Sequence, residues 1–313
     1  MNRWKVGLLA CVVVVCMSAM LVGCQSQSYT PEKKAQTVAA SALGKDGTLR
    51  VGVNASSAPL AGQTSSSSRI VGIDVDIAAY LADELGLSVE IVDVGNDPVS
   101  ALDEGKVDVV LGVDSSSEDA SGFWMSDPYI ETGVALFGSS NETSIPTVDS
   151  KPKVAAQSSS RSSWRVTNLF GDDSLVSEND LKSAFGALAS GGARYVAADA
   201  IIGTYVAYSN GYSAKIIALL QDPSGYCAAI TSKNTELQNA LGTALNKMVD
   251  GGVVKVIESK WLGSPVDISN MTVVKAPTSD VATAGSASAA SPAPAPAPEA
   301  ASGEAAATEG EAA

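Results

Sequence analysis

The chain has 313 residues, 45% hydrophobic and 17% charged: enough apolar material for one large or two medium domains, and too much for a globally disordered chain. Its formal net charge of −14 repels phosphate backbones and excludes nucleic acid as the main partner. There is no histidine, which removes Ser/His/Asp and Cys/His nucleophile arrangements and every His-based metal site, and so disfavours enzyme chemistry.

Arg3 and Lys5 precede an apolar run over residues 6–22, the shape of a secretory signal and near the lower length limit for a transmembrane anchor. The run ends in Leu21-Val22-Gly23-Cys24, which resembles the bacterial lipobox. The resemblance implies a signal peptide over 1–23 and a lipid on Cys24; the polar, small-residue composition that follows reads as a tether over 24–46 with a short helix near 33–43. Cys11 and Cys16 fall inside the apolar run. Cys227 is therefore alone in the body, no intrachain disulfide framework is available, and it reads as a small buried hydrophobe.

TLRVGV (48–53) alternates as a first strand, and 54–68 is a Ser/Ala/Gly-rich loop expected to skirt a cleft. Ile77, Leu81 and Leu85 fall at helical spacing, and Gly86 stops that helix. Residues 88–94 form a second strand and 98–104 a short helix. The stretch GKVDVVLGVDSSSEDASGFWMSDPY (105–129) supplies a third strand at 107–111, a small-residue loop at 112–117, an acidic helical turn and Ser126-Asp127-Pro128-Tyr129. A strand end that opens a helix converges backbone N–H groups, a common way to hold a small ligand. Residues 133–138 are another strand. This alternation argues for mostly parallel sheet flanked by helices.

A second series follows. It has a strand at 153–156, a helix start at Gln157-Ser158-Ser159-Ser160-Arg161, a short strand at Leu175-Val176, and a helix capped by Ser177 with Leu181, Ala184, Phe185 and Leu188 on one face. A strand at 195–198 ends at Asp199; a helix over 200–208 and a strand over 215–219 complete the series. Residues 225–230 form a strand that returns to the first half. Leu237, Leu241, Ala244, Leu245 and Met248 make an apolar helical stripe, and a last helix over 253–261 is closed by Gly263. Residues 276–313 are almost all Ala, Ser, Gly, Pro, Thr and Glu, a composition expected to be disordered.

In this order the pieces resemble the bacterial extracellular solute-binding proteins of family 3, the amino-acid-type binding components of ABC importers. TLRVGV resembles the family's first strand, and VGIDVDIAAYLADELGLSVEIVDV its first helix and second strand. ALDEGKVDVVLG and SDPY resemble its most recognisable pair of motifs, ALASGGARYVAADAIIGTYVA its second-lobe helix-strand-Asp, and TSKNTELQNALGTALNKMVDGGVVKVIESKWLG its closing helices.

The resemblance implies an α/β, two-lobed periplasmic-binding-protein-like (type II) fold, each lobe a mostly parallel sheet flanked by helices. Lobe one is 48–138 plus 225–263, lobe two is 139–224, and the hinge is two strands near 133–138 and 225–230, with ligand held by hinge closure. It implies a monomeric, non-enzymatic binding protein without cofactor or metal. Such a protein delivers an amino acid or related small amine to an ABC permease, from a lipid anchor on the outer face of the cytoplasmic membrane. Two alternatives stand beside it. One is a sensor or scaffold with a degenerate pocket. The other is a dehydratase on the same fold, whose dianionic substrates suit the acid-rich 114–119 segment poorly.

Ligand chemistry maps unevenly. In the family a Thr-x-x-Arg motif holds the ligand carboxylate, and counting back from SDPY places these two residues at Ser116 and Asp119. An acid thus stands where a cation is expected, and losing one partner of a buried charge pair costs about 2–5 kcal/mol. Arg161, Arg69 and Arg194 are candidate compensators. Arg161 ranks first because its loop also offers backbone N–H groups. Where aromatic residues commonly sandwich the ligand, this chain has Ser57, Ala58, Pro59 and Leu60, so Trp124 or Phe123 would have to replace them. Asp199 matches the acid that pairs with a ligand ammonium, and it is also placed to cap the helix that follows. The expected ligand-facing set is Asp199, Arg161, Ser160, Ser116, Asp114, Asp119 and Leu60. Its acids leave open a ligand with two positive centres or no carboxylate.

Overall fold

A computed structural model describes residues 34–64, 66–117 and 122–275. The expected signal, Cys24, Asp119 and the 276–313 tail lie outside them. The first lobe begins with β1 (Thr48–Val53), the short strands β2 (Ser56–Ser57), β3 (Ala61–Gln63) and β4 (Ile70–Val71), and helix α1 (Ile73–Glu84). It continues through β5 (Ser88–Asp93), α2 (Pro98–Asp103), β6 (Val109–Asp114), β7 (Phe123–Met125) and β8 (Ile130–Thr132). The second lobe holds β9 (Val134–Ser139), β10 (Val154–Gln157), α3 (Arg161–Phe170), β11 (Leu175–Glu178), α4 (Leu181–Ser190), β12 (Tyr195–Asp199), α5 (Ala200–Ser209) and β13 (Ala214–Leu219). The chain then returns as β14 (Ser224–Thr231), α6 (Thr235–Asp250) and α7 (Val253–Leu262).

The first-lobe sheet runs β5-β1-β6-β14-β7, with β8 also on β14; the second runs β11-β10-β12-β9-β13. Both are mixed rather than mostly parallel. In each, three strands pair in parallel, and the strand arriving from the other lobe runs against them. The reason is directional. The parallel strands run toward the interlobe face, whereas β9 and β14 start there and run away from it.

This pairing shortens the hinge. β9 pairs along its length with β12 and β13, and so belongs to the second lobe. The chain crosses at Gly133 instead of along 133–138. It returns over 220–223, and β14 then pairs with β6, β7 and β8 in the first lobe. The Leu220 N–H donates to the Val134 carbonyl at 2.8 Å and the Ala200 N–H to the Gly133 carbonyl at 2.9 Å, tying both crossings to the second lobe.

A third crossing follows α7. Ile268 is fully buried there. The Leu219 N–H donates to the Thr272 carbonyl at 2.9 Å, and the Val274 N–H donates to the Leu219 carbonyl at 2.8 Å. Residues 264–275, left unassigned by sequence patterning, thus add a strip to the edge of β13.

The N-terminal segment is also docked. Val38 and Leu43 are buried in the first-lobe core, the Thr37 N–H donates to the Leu85 carbonyl, and the Ala39 N–H to Glu236 Oε1 at 2.7 Å. Residues 34–46, read as tether with a helix, hold one 3-10 turn at Ala40–Ala42 and lie against the lobe. The cap of α4 is Asp180, which accepts the Ser183 N–H at 2.7 Å. Ser177, the expected cap, is inside β11.

The start of α1 is built from the loop before it. The Ile73 and Asp74 N–H groups donate to the Pro59 and Leu60 carbonyls, each at 2.9 Å, satisfying donors that a helix start leaves orphaned. Gly72 makes the approach possible. Its φ is 151°, and a Cβ there would sit 2.3 Å from the Leu60 carbonyl oxygen.

Candidate ligand cleft

The strand ends β6, β12 and β14 and the start of α3 meet between the lobes. β6 ends in Asp114, and Tyr226 of β14 lies directly opposite it in the antiparallel ladder. The turn beyond β6 is fixed: the Ser115 N–H donates to the Gly225 carbonyl at 2.8 Å, and the Ser115 hydroxyl accepts the Gly225 N–H at 3.1 Å. Asp114 Oδ1 accepts the Ser116 N–H at 2.9 Å and the Ser116 hydroxyl at 2.8 Å. Its other oxygen, Oδ2, accepts Arg161 Nη1 at 2.6 Å from the opposite lobe. Burial works against the charged Asp114 carboxyl. The Ser116 donors and the Arg161 guanidinium outweigh it and hold the group below the ordinary carboxylate range.

Asp199 closes the deep end of the same cluster. As N-cap of α5 its Oδ1 accepts the Ile201 and Ile202 N–H groups at 2.9 and 3.0 Å. Its Oδ2 accepts the Thr132 hydroxyl at 2.6 Å, and the Tyr226 hydroxyl also donates to the Asp199 carboxyl. Thr132 and Tyr226 belong to the first lobe, so this acid too is bound across the hinge. Burial pushes the Asp199 carboxyl above the usual range, and these donors offset part of the rise. The Tyr226 hydroxyl, buried beside Asp199 and Asp114, is pushed well above the ordinary tyrosine range and stays protonated.

The structure therefore brings Asp114, Ser116, Arg161 and Asp199 into one cluster. It gives other work to Ser160 and Leu60, and Asp119 lies outside the described residues. Ser160 is buried and caps α3. Its hydroxyl donates to the Gln157 carbonyl at 2.7 Å and accepts the Ser163 N–H at 3.0 Å, while its N–H donates to the Ser163 hydroxyl. Leu60 is 4% exposed and packs in the first-lobe core, so it does not replace a ligand-sandwiching aromatic. Trp124 packs on α6 at Gly242, and Phe123 packs against the cluster of Ala101, Leu102 and Val107. Neither reaches the cleft. Arg194 pairs with Glu142 at 2.9 Å on the surface, and Arg69 is exposed on its loop.

Thr132 and Tyr226 were not anticipated. Nothing in their spacing marks them, because they meet Asp199 only through the crossing of the lobes. Trp164, 59% exposed, stands three residues beyond Arg161 and so on the same side of α3. Among the described residues no group of His, Cys, Asp and Glu is arranged to hold a metal ion, and no helix is long and apolar enough to cross a membrane.

Comparisons with known proteins agree on one family. The family model for bacterial extracellular solute-binding proteins, family 3, matches residues 49–264. The L-cystine-binding protein TcyA of Bacillus subtilis is 23% identical over 268 residues, covering 84% of this chain and 99% of that protein. A putative ABC transporter arginine-binding protein of Escherichia coli is 25% identical over 221 residues, covering 68% of this chain and 90% of that protein. Among solved structures, an ancestral cationic amino acid solute-binding protein matches at 26% identity with a TM-score of 0.60, covering 69% of this chain and 96% of that one.

Proposed function

The chain belongs to the bacterial extracellular solute-binding proteins of family 3, and from that premise we propose that it binds an amino acid between its lobes and passes it to an ABC permease. The observation that carries this reading is the facing pair of Asp114 on the first lobe and Arg161 on the second, 2.6 Å apart. In that pair the Arg161 guanidinium already holds a carboxylate across the cleft, and it supplies a planar carboxylate-binding fork of the kind that Asp119 cannot. Asp199 and, by its place in the sequence, Asp119 favour a ligand with a second positive centre. The names of the relatives agree: arginine carries an ammonium and a guanidinium, and cystine carries two ammonium groups.

The proposal includes no reaction, and it includes a lipid on Cys24 that holds the protein at the outer face of the membrane as a monomer. Isothermal titration with arginine, lysine, cystine, glutamine, glutamate and polyamines tests the ligand. Micromolar or tighter binding confined to amino acids with two positive centres supports it; tight binding of glutamate alone sinks it. The mass of the mature N-terminus tests the lipid.

One observation favours a second reading, a sensor or scaffold with a degenerate pocket. Asp114, Arg161 and Asp199 are each already engaged by other groups of the protein. The absence of any thermal shift across a broad metabolite library would select that reading.

A further inference from the structure

The Asp114–Arg161 pair joins two elements of different lobes, β6 and α3, at the cleft. The side chain of Asp114 is 17% exposed and that of Arg161 is 47% exposed. Asp114 is not a loose surface acid. Its Oδ1 is held by both donors of Ser116, and the Ser115–Gly225 hydrogen bonds fix the turn that carries them. Its Oδ2 is therefore presented to Arg161 as a ligand carboxylate would be. We propose that Asp114 acts as an internal stand-in for the ligand carboxylate: it occupies Arg161 and latches the lobes together in the ligand-free protein, so that ligand binds by exchange with it.

This inference rests on the proposed use of Arg161 to hold a ligand carboxylate. Its consequence follows from population arithmetic. A protein whose binding-competent state is a fraction of the whole has its apparent affinity reduced by that fraction. In the latched form Nη1 of Arg161 is taken by Asp114, so that form counts against binding. Removing the competing acid raises the competent fraction; removing the guanidinium removes both the latch and the grip. The two halves of one ion pair thus have opposite effects on ligand affinity and the same effect on the ligand-free lobes. A pair serving only stability predicts no such split. An Asp114 that held the ligand cation predicts weakening from either change.

The experiment compares the wild-type chain with Asp114→Asn and Arg161→Gln, using arginine as the probe. Asp114→Asn keeps an oxygen for the Ser116 donors. It is expected to tighten arginine binding by on the order of tenfold and to speed association, whereas Arg161→Gln weakens it by a similar factor or more. Small-angle scattering without ligand reads the latch separately, and both variants are expected to show a larger radius of gyration than wild type. Unchanged scattering in both variants overturns the latch even if arginine binds well. Weaker arginine binding by Asp114→Asn overturns the stand-in role. If neither the wild type nor Asp114→Asn binds arginine, the choice of ligand has failed while the scattering result still decides the latch.

Discussion

The Tyr129 hydroxyl donates to Asp74 Oδ1 at 2.7 Å and accepts the Gly112 N–H at 2.7 Å. This buried pair joins the last residue of SDPY to the first turn of α1 and to β6. The motif that identifies the family thus works as a clamp beneath the cleft, and it fixes the strand end that carries Asp114. Tyr129→Phe leaves a buried carboxyl and the Gly112 N–H short of a partner. It is expected to cost about 1–3 kcal/mol, read as a lower urea midpoint at unchanged m-value.

Asp74 gives the fold a pH dependence of unusual sign for an acid. Burial raises its carboxyl from 3.8 to about 7, and the Tyr129 hydrogen bond lowers it only in part. Burial likewise raises Glu258 from 4.5 to about 7, against the Val266 N–H that donates to it. Between pH 4 and 7 the folded state then binds more protons at these sites than the unfolded state does. Their contribution is greatest below the unfolded values and is lost as pH rises through about 7. Urea midpoints at pH 5 and pH 8 should show the higher stability at pH 5. Asp74→Asn should flatten the difference; an unchanged difference in that variant would remove Asp74 as its source.

Thr132 and Asp199 couple the hinge to the cap of α5. Thr132→Val removes the donor to Asp199 Oδ2 and should cost about 1–3 kcal/mol. In a double-mutant cycle with Asp199→Asn the two losses should fall short of additivity by at least about 0.5 kcal/mol. Full additivity would mean that the pair does not interact in solution.

Gly72→Ala places a methyl group 2.3 Å from the Leu60 carbonyl oxygen at a backbone φ of 151°. Main chain cannot swing aside as a flexible side chain does, so at least about 1–3 kcal/mol is expected from backbone strain, with overpacking added. The melting temperature of the variant should fall clearly below that of Gly95→Ala, where no heavy atom lies within 4 Å of the new Cβ.

Ile268 tests the third crossing. It is fully buried in a segment without regular secondary structure. Ile268→Ala should cost about 2–5 kcal/mol, the range for a core truncation. A loss under about 0.5 kcal/mol, the usual size of a surface substitution, would show that residues 264–275 do not stay docked.

Local patterns were legible where one face of an element sets its periodicity. Leu49, Val51 and Val53 alternate into the first-lobe core, and Ile77 and Leu81 fall on the buried stripe of α1, so β1 and α1 lie where spacing places them. Patterning starts the third strand at Val107 because it is apolar and buried like a strand residue, yet it packs in the satellite cluster with Ala101 and Leu102 just before β6. Spacing points to Ser177 as a cap because any Ser before an apolar stripe fits. Asp180 holds the position because its oxygen meets the Ser183 N–H. Arg161 was legible as a candidate compensator and Asp114 as part of an acid-rich segment. That they face each other was not, since they lie 47 residues apart on different lobes.

By itself the sequence determined the family, the α/β character and the two-lobe division, because these follow from short-range periodicity and from motifs read within one segment. The tertiary structure alone decided where the hinge lies, that residues 264–275 cross back, and what the acids of the cleft touch. Those are long-range outcomes. Backbone pairing assigns β9 to the second lobe, and the crossing brings Thr132 and Tyr226 to Asp199 and Asp114 to Arg161. Charge complementarity between segments distant in sequence acts only once hinge geometry has brought them within a few ångströms, and no spacing rule along the chain encodes that approach.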